Sequence, residues 1–367
     1  MKPDRRDLEL LRLVGRYRWL PLGTFGKFGF AGIHDAIEEL SKIGYISISR
    51  NKRYIMVAPK GCTLLNELGF KCDTSVKRAY ENYGTLRRRL EAGSIMLTAL
   101  RAGIGAQCVD VDALRNQPTF LPSFALRTAA ANPMSNGTCA GFGHWGGKSY
   151  MLHYASSENK GMYLTNELKT FHNLGSVFSE RLDEQEAMVF AGDSYKQAYA
   201  QIKLKAASSR HGVKGFSDFA EIYRSVDIPV HLLSCDETGA MQLALMRQPG
   251  YNARIAKAAY GERWAQRDEQ IPDADGSIDG GRTLLIAADM DVRRAVRVVE
   301  DAKNLGKKGV ALIAFKEQLE GLLMGLFPHD GFVTYLQIKQ QVLDAAFGKG
   351  FSLCDFGGEM EGSGRYG

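Results

Sequence analysis

The first seventy residues constrain the fold most, because their hydrophobic period changes from helical to alternating at a glycine boundary. Asp7 to Tyr17 carries Leu8, Leu10, Leu11, Leu13 and Val14, an apolar helical stripe ending near Gly15. A short element, Leu22 to Phe28, is bracketed by Gly23, Gly26 and Gly29. Ile33 to Ile43 places Ile33, Ala36, Ile37 and Leu40 on one helical face. Gly44 follows as a C-cap residue. Tyr45 to Ser49 and Arg53 to Ala58 then alternate apolar and polar side chains around Arg50-Asn51-Lys52, the pattern of a hairpin with a basic tip.

Three helices followed by a basic hairpin make residues 1–70 an expected winged helix-turn-helix, an arrangement that commonly holds duplex DNA. Charge follows the same division. Residues 1–101 hold 19 Lys and Arg against 10 Asp and Glu, while the remainder holds 28 against 31. Clustered cations neutralise phosphates and release counterions. On this reading His34 and Lys42 lie on the recognition helix, Arg50, Lys52 and Arg53 clamp flanking phosphate, and Arg87, Arg88 and Arg89 extend the footprint. The same helix also exposes Asp35, Glu38 and Glu39, which accept from cytosine but repel the DNA backbone. A winged helix that docks a protein is the alternative.

A chain of 367 residues has room for two domains. With 45% hydrophobic and 24% charged residues its composition is that of a globular protein. No apolar run is long enough for a membrane span, and Met1 to Asp7 carries no secretory signal, so a cytoplasmic protein without membrane contact is expected. Six scattered cysteines without a C-x-x-C pair suggest free thiols rather than a zinc site.

Beyond a small helix at Lys60–Leu68, residues 73–103 are expected to form one long linking helix. Val76, Ala79, Tyr83, Leu86, Leu90, Gly93, Leu97 and Leu100 form a heptad-like seam, suited either to a homodimer or to packing on the chain's own second domain. Residues 104–149 contain several prolines and resemble a long connection. From Tyr150, short apolar strands alternate with amphipathic helices, predicting an α/β domain over 104–350 with a largely parallel sheet, and an α+β chain overall. The expected strands are 150–155, 187–191, 230–234, 283–288 and 310–315. Residues 266–282, rich in Asp and Gly, are expected as an exposed loop, and 355–367 as a disordered tail.

Phe142 to Ser149 ends in Gly-Lys-Ser like a phosphate loop, but lacks its first glycine and runs into a strand, so a glycine hairpin turn is expected. The weak catalytic candidates are Asp289 and Asp291, after the strand 284–288, with Glu237 as an acidic partner. They resemble the Asp-x-Asp segment of the toprim domain. The competing reading makes Asp291 a helix cap. Asp273 follows Pro272 as in restriction-type nucleases, yet the lysine those sites require is missing, leaving Asp273 and Asp275 as loop residues. No catalytic residue, metal site or cofactor is expected.

Leu10-Leu11-Arg12-Leu13-Val14, Leu40-Ser41-Lys42-Ile43-Gly44-Tyr45-Ile46 and Lys60-Gly61-Cys62-Thr63-Leu64-Leu65 together resemble the replication-relaxation family of plasmids and integrative elements. The resemblance implies a non-catalytic DNA-binding accessory in plasmid replication or conjugative DNA processing. Its implied partners are double-stranded DNA and a relaxase, replication initiator or coupling protein. The alternatives are a Mg²⁺-dependent nucleic-acid enzyme with a toprim-like or degenerate nuclease domain, and a ligand-sensing transcriptional regulator.

Overall fold

The computed structural model describes residues 3–354 except 18, 29–31, 71, 73–82, 107–117, 129–136, 157–160, 179–185, 205–213, 267 and 328–329. The expected tail at 355–367 and Cys108 therefore lie outside the described residues. The chain is a mixed α/β protein.

Its first part runs α1 (Arg5–Tyr17), β1 (Trp19–Pro21), α2 (Leu22–Gly26), α3 (Ile33–Ile43), β2 (Ile46–Ile48), β3 (Tyr54–Val57) and α4 (Pro59–Glu67). β1, β3 and β2 form an antiparallel sheet in that order, with Leu20 opposite Ile55 and Ile48 opposite Ile55 on the other side. The third strand was not expected. Leu10, Leu11, Val14, Ile37, Leu40, Ile55 and Leu65 form the core beneath it. Gly44 takes φ +86°, the left-handed conformation that lets its amide reach back to the carbonyls of Leu40 and Ser41.

α5 (Tyr83–Arg101) is not a free linker. Every residue from Ala92 to Ala99 is buried, as in a helix packed on all sides. Gly93 lies against Pro21, and the Thr24 and Ser94 hydroxyls share a buried hydrogen bond of 2.9 Å. On its other side α5 packs against the helix Glu237–Met246. One apolar cluster thus runs from Leu10 through Met96 to Leu243. Gly93 and Leu97 of the seam are thus spent inside the chain, the second of the two uses the sequence allowed. The expected start at residue 73 lies outside the described residues.

Two mixed sheets replace the largely parallel sheet. The first contains β4 (Gly105–Ala106), β5 (Thr119–Pro122), β6 (Gly141–Trp145), β7 (Lys148–Tyr154), β9 (Glu186–Gly192) and β11 (Val230–Ser234), in the order β11-β9-β7-β6-β5-β4. β11, β9 and β7 run parallel, whereas β7, β6 and β5 alternate. The cause is local: Gly146 and Gly147, both at positive φ, make a two-residue turn that forces β6 and β7 antiparallel. The described residues of 104–149 therefore contribute three strands and part of a fourth to this sheet rather than a long connection. A small pair, β8 (Gly161–Tyr163) with β10 (Phe216–Asp218), lies beside it.

The second sheet runs β12 (Trp264–Ala265), β13 (Gly276–Ile278), β14 (Arg282–Ile286), β15 (Val310–Ala314) and β16 (Val333–Gln337). β14, β15 and β16 are parallel and β12 and β13 antiparallel. The supposed loop 266–282 thus contains β13, and Ile271, Ile278 and Asp268 are buried.

The sheets meet where the chain leaves β14. The Leu232 amide of β11 donates to the Met290 carbonyl at 3.1 Å. Gln242 Nε2 donates to the carbonyls of Leu232 and Asp289, and Gln318 Nε2 to that of Ala288, at 2.8–2.9 Å. Tyr195 closes the network by donating to Gln242 Oε1 at 2.8 Å. These side-chain amides satisfy backbone carbonyls that no neighbouring strand reaches. Among the described residues no helix is long and apolar enough to cross a membrane.

Candidate nucleic-acid interface

The hairpin between β2 and β3 is built to hold its tip in one shape. Ser49 Oγ accepts from the amides of Arg53 and Tyr54 at 2.9 and 3.1 Å and donates to Asn51 Oδ1 at 2.9 Å. Lys52 adopts φ +52° and its amide donates to the Ser49 carbonyl at 2.8 Å. Arg50, Lys52 and Arg53 all face solvent around this knot. Three cations are thereby presented with little backbone entropy left to lose on binding.

α3 buries Ile33, Ala36, Ile37 and Leu40. That leaves His34, Asp35, Glu38, Glu39 and Lys42 outward, with Lys42 Nζ 3.9 Å from Glu38. α4 fixes the hairpin relative to α3. Lys60 Nζ donates to the Ile43 carbonyl at 3.0 Å and lies 4.9 Å from the Tyr45 ring centre. Gly61 approaches so closely that a Cβ there would stand 2.1 Å from the Tyr45 carbonyl oxygen. Lys60 escaped the sequence reading, although a lysine directly after the N1 proline of α4 and near the end of α3 was a usable signal.

Arg87 to Arg89 do not form a uniform phosphate-facing run. Arg87 pairs with Glu91 at 3.5 Å on the same helix. Arg89 lies over the rings of Trp19 and Phe124, 4.7 and 5.3 Å from their centres. Arg88 is the exposed one of the three. The i,i+4 spacing to Glu91 was visible in the sequence, whereas the ring partners are distant in it.

The acidic candidates do not converge. Asp289 is buried, and its Oδ2 accepts from Arg294 Nη1 at 3.2 Å. Burial works to raise this carboxyl, but Arg294 and His231 outweigh it and hold Asp289 below the ordinary carboxylate range. Arg294 also pairs with Asp275, whose carboxyl burial pushes up. Asp291 caps the helix Val292–Asn304, accepting from the Arg294 amide at 3.0 Å. Glu237, on another helix, faces Arg101 at 3.7 Å. Asp273 pairs with Arg297 at 2.8 Å. Among the described residues no group of three or more His, Cys, Asp or Glu is arranged to hold a metal ion. The crevice beyond β14, where an open α/β sheet binds ligands, is filled by β11, Gln242 and Gln318.

No known protein family, curated protein or solved structure matches this chain.

Proposed function

We propose that residues 1–70 are a winged helix-turn-helix that binds duplex DNA, α3 entering the major groove and the β2–β3 hairpin gripping the flanking phosphates. The carrying observation is the locked hairpin tip, which holds Arg50, Lys52 and Arg53 in solvent beside the outward face of α3. The carboxylates of Asp35, Glu38 and Glu39 then act as acceptors for cytosine amino groups, and affinity comes from the wing. The chain is a non-catalytic accessory of plasmid replication or conjugative DNA processing, recruiting a relaxase, replication initiator or coupling protein through its α/β part. Support for this wider role is the resemblance carried by Leu10 to Val14, Leu40 to Ile46 and Lys60 to Leu65.

Anisotropy titration of labelled duplex from the neighbouring genetic element, against random duplex, tests the proposal. Sequence-dependent binding that weakens steeply with salt supports it. Absence of binding at low salt overturns it and leaves a protein-docking module. Plasmid incubated with the protein and Mg²⁺ stays supercoiled on this account, because Arg294 occupies Asp289. Nicking abolished by Asp289→Asn would favour the enzyme instead.

A further inference from the structure

β16 closes one end of the second sheet and uses only one side of its backbone. The Val310 amide donates to the Phe332 carbonyl at 2.8 Å, and the Ile338 amide to the Ala314 carbonyl at 2.9 Å. Parallel pairing alternates, so Phe332, Thr334, Leu336 and Ile338 turn their backbone groups toward β15. Those of Val333, Tyr335 and Gln337 point away from the sheet, and among the described residues nothing bonds their amides. The other described sheet edges are short or closed. β4 and β12 have two residues, β1 ends in Pro21, β2, β8 and β10 have three residues, and β11 meets the Met290 carbonyl. β16 runs from Val333 to Gln337 without a charge, glycine or proline, and Leu336 on it is 37% exposed. Such residues favour pairing, whereas a free edge is normally blunted by a charge or a proline.

The edge is complementary to itself. Gly331 at φ +79° and the start of the helix Gln340–Phe347 confine the extended run to residues 332–339. Turned antiparallel about Tyr335, this run sets Val333 opposite Gln337 of a second copy and Thr334 opposite its Leu336. The outward backbone groups of 333, 335 and 337 then face one another, each facing pair exchanging two main-chain hydrogen bonds. At both ends the exposed Lys339 comes opposite Gly331 and within reach of Asp330, and no like charges are opposed.

We propose that β16 pairs antiparallel with β16 of a second copy of this chain, joining their two five-stranded sheets across a twofold axis at Tyr335. A second copy fits better than a foreign peptide because this one sequence supplies both the matched register and the opposite charges at its ends. The inference stands independently of DNA binding. With it, one particle carries two N-terminal units.

Sedimentation velocity of the intact protein over a concentration series, with amide hydrogen exchange, tests this. A concentration-dependent dimer is expected, the amides of Val333, Tyr335 and Gln337 being protected in the dimer and not in the monomer. Gln337→Pro removes an amide that bonds nothing within the described chain. It should weaken dimerisation about tenfold or more with Tm unchanged. Lys339→Glu sets a like charge beside Asp330 and should weaken it about threefold. Should Gln337→Pro lower the Tm, Lys339→Glu decides, and dimerisation unchanged by it would overturn the proposal. A dimer equally strong in a folded Gln337→Pro variant would also overturn it. So would a protein monomeric at every concentration, protected amides then giving the edge to another segment of this chain and unprotected ones to a foreign peptide.

Discussion

Thr24 on α2 and Ser94 on α5 share a buried hydrogen bond of 2.9 Å that joins the N-terminal unit to the helix at the centre of the molecule. Around it Gly93 packs on Pro21, and at the surface Lys27 pairs with Asp193 at 2.9 Å. The N-terminal unit is therefore docked on the α/β part, not tethered to it.

Ser94→Ala should destabilise the protein by about 1–2 kcal/mol, the cost of the buried Thr24 hydroxyl left without its partner, and Thr24→Val by less, because Ser94 Oγ keeps its bond to the Leu90 carbonyl at 3.2 Å. The double variant should lose less than the sum of the two. Urea unfolding in a double-mutant cycle measures the coupling, and additivity would show that the bond contributes nothing.

The Arg294 guanidinium sits between Asp289 and Asp275 in a buried site. Arg294→Met removes the cationic partner of buried Asp289 and half-buried Asp275 and should cost about 3–5 kcal/mol. Chemical denaturation of the variant checks this, a loss below 1 kcal/mol contradicting it.

Asp289 gives the same site a pH signature. Because its folded pKa lies below the ordinary value, its stabilisation is present above that value and is lost as pH falls through the folded pKa. Asp275, shifted upward, acts in the opposite sense and favours lower pH. Asp289→Asn should thus be markedly less stable than the wild type at pH 7, the gap narrowing below about pH 4. Urea midpoints across that range measure it, and a constant gap would contradict the assignment.

Gly61→Ala should destabilise the hairpin's seat by about 1–3 kcal/mol, since its Cβ meets a backbone carbonyl that cannot move alone. If α4 orients the wing, the variant also loses DNA affinity under conditions where it remains folded. Unchanged Tm and affinity would show that α4 does not set the hairpin.

The legible parts of the chain are those where pattern and environment agree. Ile33–Ile43 and Val230–Ser234 fall where their periodicity puts them, because each faces a single apolar layer or is buried outright. Residues 104–149 misled because their prolines read as breaks, yet Pro122 ends the strand Thr119–Pro122 and pairs with Gly141, whose missing side chain leaves room for the Phe120 ring. The acidic stretch 266–282 misled for a related reason: its charge suggests water, while Asp268 is buried and Asp275, half-buried, pairs with an arginine nineteen residues later. In the site, the exposed cations of the wing were readable from local sequence alone. Arg89 was not, because the rings of Trp19 and Phe124 brought by the fold decide what its guanidinium faces, whereas the partner of Arg87 is Glu91, one turn along the same helix.

The most direct measurement is the salt dependence of duplex DNA binding by the wild type and by a variant with Arg50, Lys52 and Arg53 all changed to alanine. Each phosphate contact adds about 0.9 to the slope of log K against log salt, so the triple variant should bind more weakly to every sequence, with a slope shallower by about 2–3 and an unchanged Tm. Equal affinity and equal slope in the two proteins would contradict the wing as the DNA-gripping element.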